Sequence, residues 1–115
     1  FKADYAIVAE PTLLNIVNAH KGVARLRLET TGRACHSSRP DQGVNAVYRM
    51  ARLVVGIEEY AKKLQSLPPD PVLGARTVSV GVVGGGTAAN TVPDTCSALV
   101  DRRLVPGETF ESATA

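Results

Sequence analysis

Aromatic side chains are scarce in this chain, which has two Phe, three Tyr and no Trp among 115 residues. Its core must therefore be aliphatic, drawn from Val, Leu and Ala. Cysteine is nearly absent too: Cys35 and Cys96 stand far apart with no CxxC spacing. That excludes a disulfide framework and reads as two structural thiols in a reducing, cytoplasmic setting. No segment approaches the roughly 20 apolar residues of a membrane span, and residues 1–10 do not read as a signal peptide. Charge of one sign is lacking as well. Lys and Arg number 13 against 11 Asp and Glu, a formal net charge of +2 without any basic run, which argues against nucleic-acid binding. HExxH, His-x-His and CxxC are all missing, so a complete metal site built from this chain alone is not expected.

What is present is periodicity. From Val23, Ala24, Leu26, Leu28 and Thr30 alternate with Arg25, Arg27 and Glu29, which predicts a half-buried strand of an antiparallel sheet. From Val44 to about Leu67, the residues Val47, Met50, Val54, Ile57, Ala61 and Leu64 recur at three and four, predicting an amphipathic helix. Pro68-Pro69-Asp70-Pro71 ends it. Arg76 to Val83 alternates again, with Val78, Val80 and Val82 expected on one face. Thr95 to Leu104 is a further strand, with Cys96, Ala98 and Val100 on one side and Leu99, Asp101 and Arg103 on the other.

The first residues, Phe1 to Val8, read as a strand in progress, and Tyr5 to Ala9 as an apolar run stopped by Glu10-Pro11. Leu13 to Ala19 fits a short strand or a helical turn. Pro106 to Ala113 reads as a turn entering a helix that is cut short, so the chain is expected to be a piece of a longer protein. The order strand, helix, strand, strand, helix predicts an α+β fold: a ferredoxin-like two-layer βαββαβ sandwich. Its antiparallel sheet would carry helices on one face, with the last helix and strand truncated.

Candidate chemistry gathers at a few positions. His36 lies in the loop Gly32-Arg33-Ala34-Cys35-His36-Ser37-Ser38-Arg39-Pro40-Asp41-Gln42-Gly43 between the first strand and the helix. It either bonds its own loop or serves proton transfer and oxyanion stabilisation, tasks suited to imidazole. Gly84-Gly85-Gly86-Thr87 lacks the Lys-Ser/Thr of a phosphate-binding loop, but lets backbone approach a ligand closely. Asn90 follows as a turn residue or a ligand contact. Arg103 beside Asp101 reads as a surface ion pair or a fork for a carboxylate. Glu10 is a surface carboxylate or a metal ligand lacking partners in this chain.

Asp4-Tyr5-Ala6-Ile7-Val8-Ala9-Glu10-Pro11-Thr12, His20-Lys21-Gly22, Gly32 to Pro40, Gly43-Val44-Asn45-Ala46, Gly84 to Asn90 with Pro93, and Asp101-Arg102-Arg103 with Pro106-Gly107 occur in one order. Together they resemble the co-catalytic zinc metallopeptidases and deacylases of the acetylornithine deacetylase, succinyl-diaminopimelate desuccinylase, aminoacylase and glutamate carboxypeptidase group. The resemblance implies that residues 1–19 are the end of a catalytic-domain strand and linker. Residues 20–115 would be the lid, or dimerisation, domain, incomplete at its C-terminal end.

It further implies a hydrolase acting on N-acyl amino acids or peptide-like amides, paired as a homodimer through the lid and working with its own catalytic domain. Two zincs per subunit would sit in the parent enzyme and none in this segment alone, which would be inactive. By the same resemblance, Glu10 matches a zinc ligand. His36 matches a lid histidine acting in trans at the oxyanion. Asn90 and Arg103 match substrate contacts, with Gly85 and Gly86 admitting the backbone. The rival expectations are a non-catalytic ferredoxin-like interaction module and a small-molecule-sensing regulatory domain of the same fold.

Overall fold

Strict alternation places the first strand. The computed structural model describes residues 2–7, 11–13 and 15–114. Within them β1 (Gly22–Thr31) leads through the short β2 (Cys35–His36) and a 3-10 turn at Pro40–Gln42 to α1 (Ala46–Ser66). Then come β3 (Thr77–Gly85), β4 (Thr91–Val92), β5 (Thr95–Leu104) and the short α2 (Phe110–Thr114). β1, β5 and β3 form an antiparallel sheet in that order, and β2 pairs with β4 beside it. β1 and β3 run parallel with β5 between them, joined through α1, which is the split βαβ arrangement expected from the element order. No helix among the described residues is long and apolar enough to cross a membrane.

α1 starts where Asn45 caps it, its Oδ1 accepting the Tyr48 N–H at 3.1 Å. It stops at Leu67, whose extended φ −74° and ψ 152° suit the residue before a proline. Ala46, Met50 and Leu64 are its buried residues. Ala46 and Met50 meet Cys96 and Ala98 of β5, with Leu28, Val47, Val54 and Val80 packed around them. The core is thus aliphatic and built from small side chains, as the shortage of aromatics requires.

Three expectations change. Val82 does not share a face with Val78 and Val80, because a bulge at Gly81 adds one residue between Val80 and Val82. The extra residue reverses the alternation, so Val82 pairs with Leu99 on the uncovered face and is half-exposed. At the N-terminus, residues 2–7 form no strand, and Tyr5 and Ile7 are fully exposed. A strand needs a neighbouring ladder, and among the described residues none lies beside them; Phe1, Val8 and Ala9 fall outside the described residues. Leu14 lies outside the described residues; the described residues of the Leu13–Ala19 segment form neither strand nor helix, and the Asn15 N–H donates to the Thr12 carbonyl at 3.0 Å.

One charged side chain lies in the core. Arg102 is 2% exposed, in phase with Cys96, Ala98 and Val100 on the face toward α1. Its Nη2 donates to Glu108 Oε1 at 2.7 Å, and Arg76 Nε donates to the same oxygen at 3.0 Å. Glu108 Oε2 accepts the Val105 N–H at 3.0 Å. The chain after β5 is thereby tied back to the sheet by one carboxylate between two guanidiniums.

Gly32 shows how tightly the end of β1 is built. A Cβ there would lie 1.9 Å from the Val44 carbonyl oxygen. Gly32→Ala is therefore expected to destabilise the fold by about 1–3 kcal/mol, the usual cost of overpacking, as read by chemical denaturation. An unchanged midpoint would show that the loop entrance yields.

Candidate functional site

The loop between β1 and α1 is short, and backbone bonds close it into a ring. Arg33 and Val44 exchange both N–H···O bonds at 2.9 Å, joining the loop's two ends. Arg33 Nε donates to the Gln42 carbonyl at 2.9 Å, and the Gly43 N–H to the Pro40 carbonyl at 3.1 Å. Gly43 is required by this closure, since a Cβ would meet the Cys35 sulfur at 2.5 Å. Cys35 in turn donates from Sγ to the Arg39 carbonyl at 3.3 Å, so its thiol serves the loop.

The ring holds His36 at its tip. β2 pairs Cys35 with Val92 and His36 with Thr91, and the Ser37 N–H donates to the Asn90 carbonyl at 2.9 Å. His36 and Asn90 come from segments more than fifty residues apart in sequence, yet this two-residue ladder makes them neighbours. Both are exposed. The His36 ring receives Ser38 at Nδ1, while Nε2 makes no hydrogen bond among the described residues. The arrangement can offer one ring nitrogen and one carboxamide to a ligand outside this chain.

The glycines before Asn90 divide between packing and turning. A Cβ on Gly85 would lie 2.7 Å from that of Cys96, so the close approach of β3 to β5 already demands glycine there. Gly86 has φ +84°, a left-handed conformation that starts the loop to β4.

Arg103 lies elsewhere. It pairs with Val23 and Thr77 at the opposite end of the sheet, seven residues along β5 from Cys96. At roughly 3.3 Å per residue that separation is about 23 Å. Its guanidinium is engaged twice by Asp101, Nε to Oδ1 at 2.6 Å and Nη2 to Oδ2 at 3.4 Å. Nη1 makes no hydrogen bond among the described residues. The structure thus brings His36 and Asn90 together and keeps Arg103 apart from them. Glu10 lies outside the described residues. Among the described residues, no group of three or more His, Cys, Asp or Glu could hold a metal ion.

Sequence reasoning passed over Ser38 and the Arg102–Glu108–Arg76 cluster. For Arg102 the signal existed, because the β5 alternation puts it in register with the buried stripe. For Ser38 no periodicity could have found it, since its contact depends on the turn.

A split βαβ sandwich with a histidine loop at one end of its sheet and an arginine at the other defines the class: an α+β two-layer, ferredoxin-like domain. Over residues 18–115 the chain matches the peptidase dimerisation domain family, and it belongs to that family. It is 39% identical over 111 residues to an acetylornithine deacetylase of Myxococcus xanthus, covering 93% of this chain and 29% of that protein. To a probable carboxypeptidase of Aspergillus clavatus it is 38% identical, covering 92% and 26%. Among solved structures, an aminobenzoyl-glutamate utilization protein from Klebsiella pneumoniae aligns with TM-score 0.56 and 29% identity, over 73% of this chain and 20% of that one. A putative aminohydrolase from methicillin-resistant Staphylococcus aureus shares the fold at TM-score 0.62 and 20% identity, over 72% and 21%. The chain spans less than a third of the length of these curated relatives. The resemblance carried by the short motifs holds at the level of the family, and the expected fold class holds with it.

Proposed function

We propose that this chain is the lid and dimerisation domain of a zinc-dependent amidohydrolase that cleaves an N-acyl amino acid or a peptide-like amide. The observation that carries the reading is the β2–β4 ladder, which seats His36 beside Asn90 on a loop closed by backbone hydrogen bonds, with Nε2 unengaged among the described residues. A donor held at that point suits the oxyanion of a tetrahedral intermediate. Two zincs per subunit would supply a metal-activated water and a polarised carbonyl. By the family resemblance they would belong to the catalytic domain, with Glu10 among their ligands. Arg103 would orient a substrate carboxylate through Nη1. About 23 Å of sheet separates it from the His36 end, by the usual strand rise. One substrate can meet both groups only if they come from different subunits, which supports action of His36 in the partner subunit's site.

Full-length protein is expected to hydrolyse N-acyl amino acids and to lose turnover on chelation, while the 115-residue chain alone is inactive. Hydrolysis by the isolated chain would sink the lid assignment.

Pairing has a surface suited to it. β3 is an edge strand, and Val54, Val55, Ile57, Val78 and Val80 line an apolar groove between it and α1. A second copy laid against the same groove gives a two-fold contact. Full-length protein should sediment as a dimer, and Val55→Asp, at a position 58% exposed, should shift it to monomer without loss of folding. A dimer unaffected by that charge would place the interface elsewhere.

A further inference from the structure

We propose that Ser38 is a positioning residue that holds the neutral His36 ring in its Nε2–H tautomer, so that the loop presents a hydrogen-bond donor outward. The argument starts from a backbone group that has no choice of role. The Ser38 N–H lies 3.2 Å from His36 Nδ1 and can only donate. A neutral imidazole has one N–H and one bare nitrogen, so Nδ1 is the bare one and the proton sits on Nε2. Ser38 Oγ lies 2.7 Å from the same Nδ1, and with that nitrogen accepting, the hydroxyl donates as well. The opposite tautomer would set an N–H against a backbone N–H.

The turn that makes this possible is fixed on three sides. The Arg39 N–H donates to the His36 carbonyl at 3.0 Å, the Ser37 N–H to the Asn90 carbonyl at 2.9 Å, and Cys35 Sγ to the Arg39 carbonyl at 3.3 Å. Ser38 therefore stays under the ring. A neutral histidine in water interconverts between its tautomers, and the one with bare Nε2 would turn a lone pair toward a developing oxyanion. Fixing the tautomer keeps the ring a donor whenever it is neutral. The catalytic consequence rests on the lid reading above, whereas the tautomer itself rests only on the loop.

The test uses full-length protein labelled with 15N in histidine, with the His36 signals identified by their loss in His36→Gln. It is run at about pH 8.5, so that the spectra report the neutral ring. Wild-type His36 should show the pattern of a bare Nδ1 and a protonated Nε2 alone. Ser38→Ala keeps the backbone N–H at Nδ1 and removes only the hydroxyl. It should weaken the tautomer preference about two- to tenfold, the usual weight of one hydrogen bond, and lower kcat in proportion to the second tautomer it admits, with KM unchanged. Ser38→Thr, which keeps the hydroxyl, should restore both. A protonated Nδ1 in the wild type, or a tautomer population unmoved in Ser38→Ala, overturns the proposal. If His36→Ala leaves turnover intact, the oxyanion reading fails while the 15N spectra still decide the tautomer.

Discussion

His36→Ala in the full-length protein is expected to lower kcat about 100- to 1000-fold, the loss seen when one preorganised oxyanion donor is removed. The side chain is exposed and lies outside the core, so the fold should keep its stability to within about 0.5 kcal/mol. Dimerisation should also persist, because the α1–β3 groove shares no residue with the loop. KM should change little, since the donor acts on charge that develops only in the transition state. Steady-state kinetics and sedimentation on the same sample separate these effects. Action in trans has its own signature. Mixing His36→Ala subunits with subunits disabled in the catalytic domain should restore activity, because the intact catalytic domain then borrows a histidine from its partner. Failure of the mixture to recover, with mixed dimers demonstrated, would place His36 in its own subunit's site.

Glu108→Ala is expected to cost about 3–5 kcal/mol of stability, because it leaves a buried guanidinium without its counter-charge. Arg102 is 2% exposed, and its Nε already lacks a partner among the described residues. Its Nη1 reaches only backbone carbonyls, those of Arg103 and Thr77. Removing the carboxylate strands Arg102, frees Arg76 and unties the Val105 N–H. Replacing both partners, as Arg102→Met with Glu108→Ala, should recover much of the loss, since an apolar side chain suits that stripe. Chemical denaturation of the single and double variants checks this, and equal destabilisation of the two would show that the charge is not the cause.

The same carboxylate sets an acid limit. Partial burial pushes the Glu108 carboxyl up, but the Val105 N–H, Arg102 and Arg76 outweigh it and hold the group below its ordinary value of 4.5. A carboxylate depressed by folding contributes stability that is complete above that ordinary value. The contribution drains away as pH falls through the lower folded value. Asp70 acts in the same direction, lowered by the N–H groups of Leu73 and Val72. The melting temperature should fall on acidification below about pH 4.5, and Glu108→Ala should flatten part of that slope.

Much of the fold is legible in the chain because it is written in short-range periodicity. Alternation at Ala24, Leu26 and Leu28 marks β1. Spacing of three and four from Val47 to Leu64 marks α1, and Pro68 marks its end. Where one local insertion changed the count, as at Gly81, pattern alone put Val82 on the wrong face. Arg102 was readable by phase, yet its burial depends on a carboxylate six residues later folding back over the sheet.

The candidate site divides in the same way. Short motifs in order were enough to point to the family and to single out His36, Asn90 and Arg103. Their mutual geometry is a property of the sheet. A two-residue ladder between β2 and β4 makes His36 and Asn90 neighbours, and the length of β5 holds Arg103 away from both. By itself, then, the sequence determined the long elements β1, α1, β3 and β5, their order and the residue types that bear chemistry, because those follow from side-chain period and local turn preference. Which of those residues meet, which way the His36 ring points and which charge is buried were decided only by tertiary structure. Those outcomes depend on pairings between segments far apart in the chain, which no local pattern encodes.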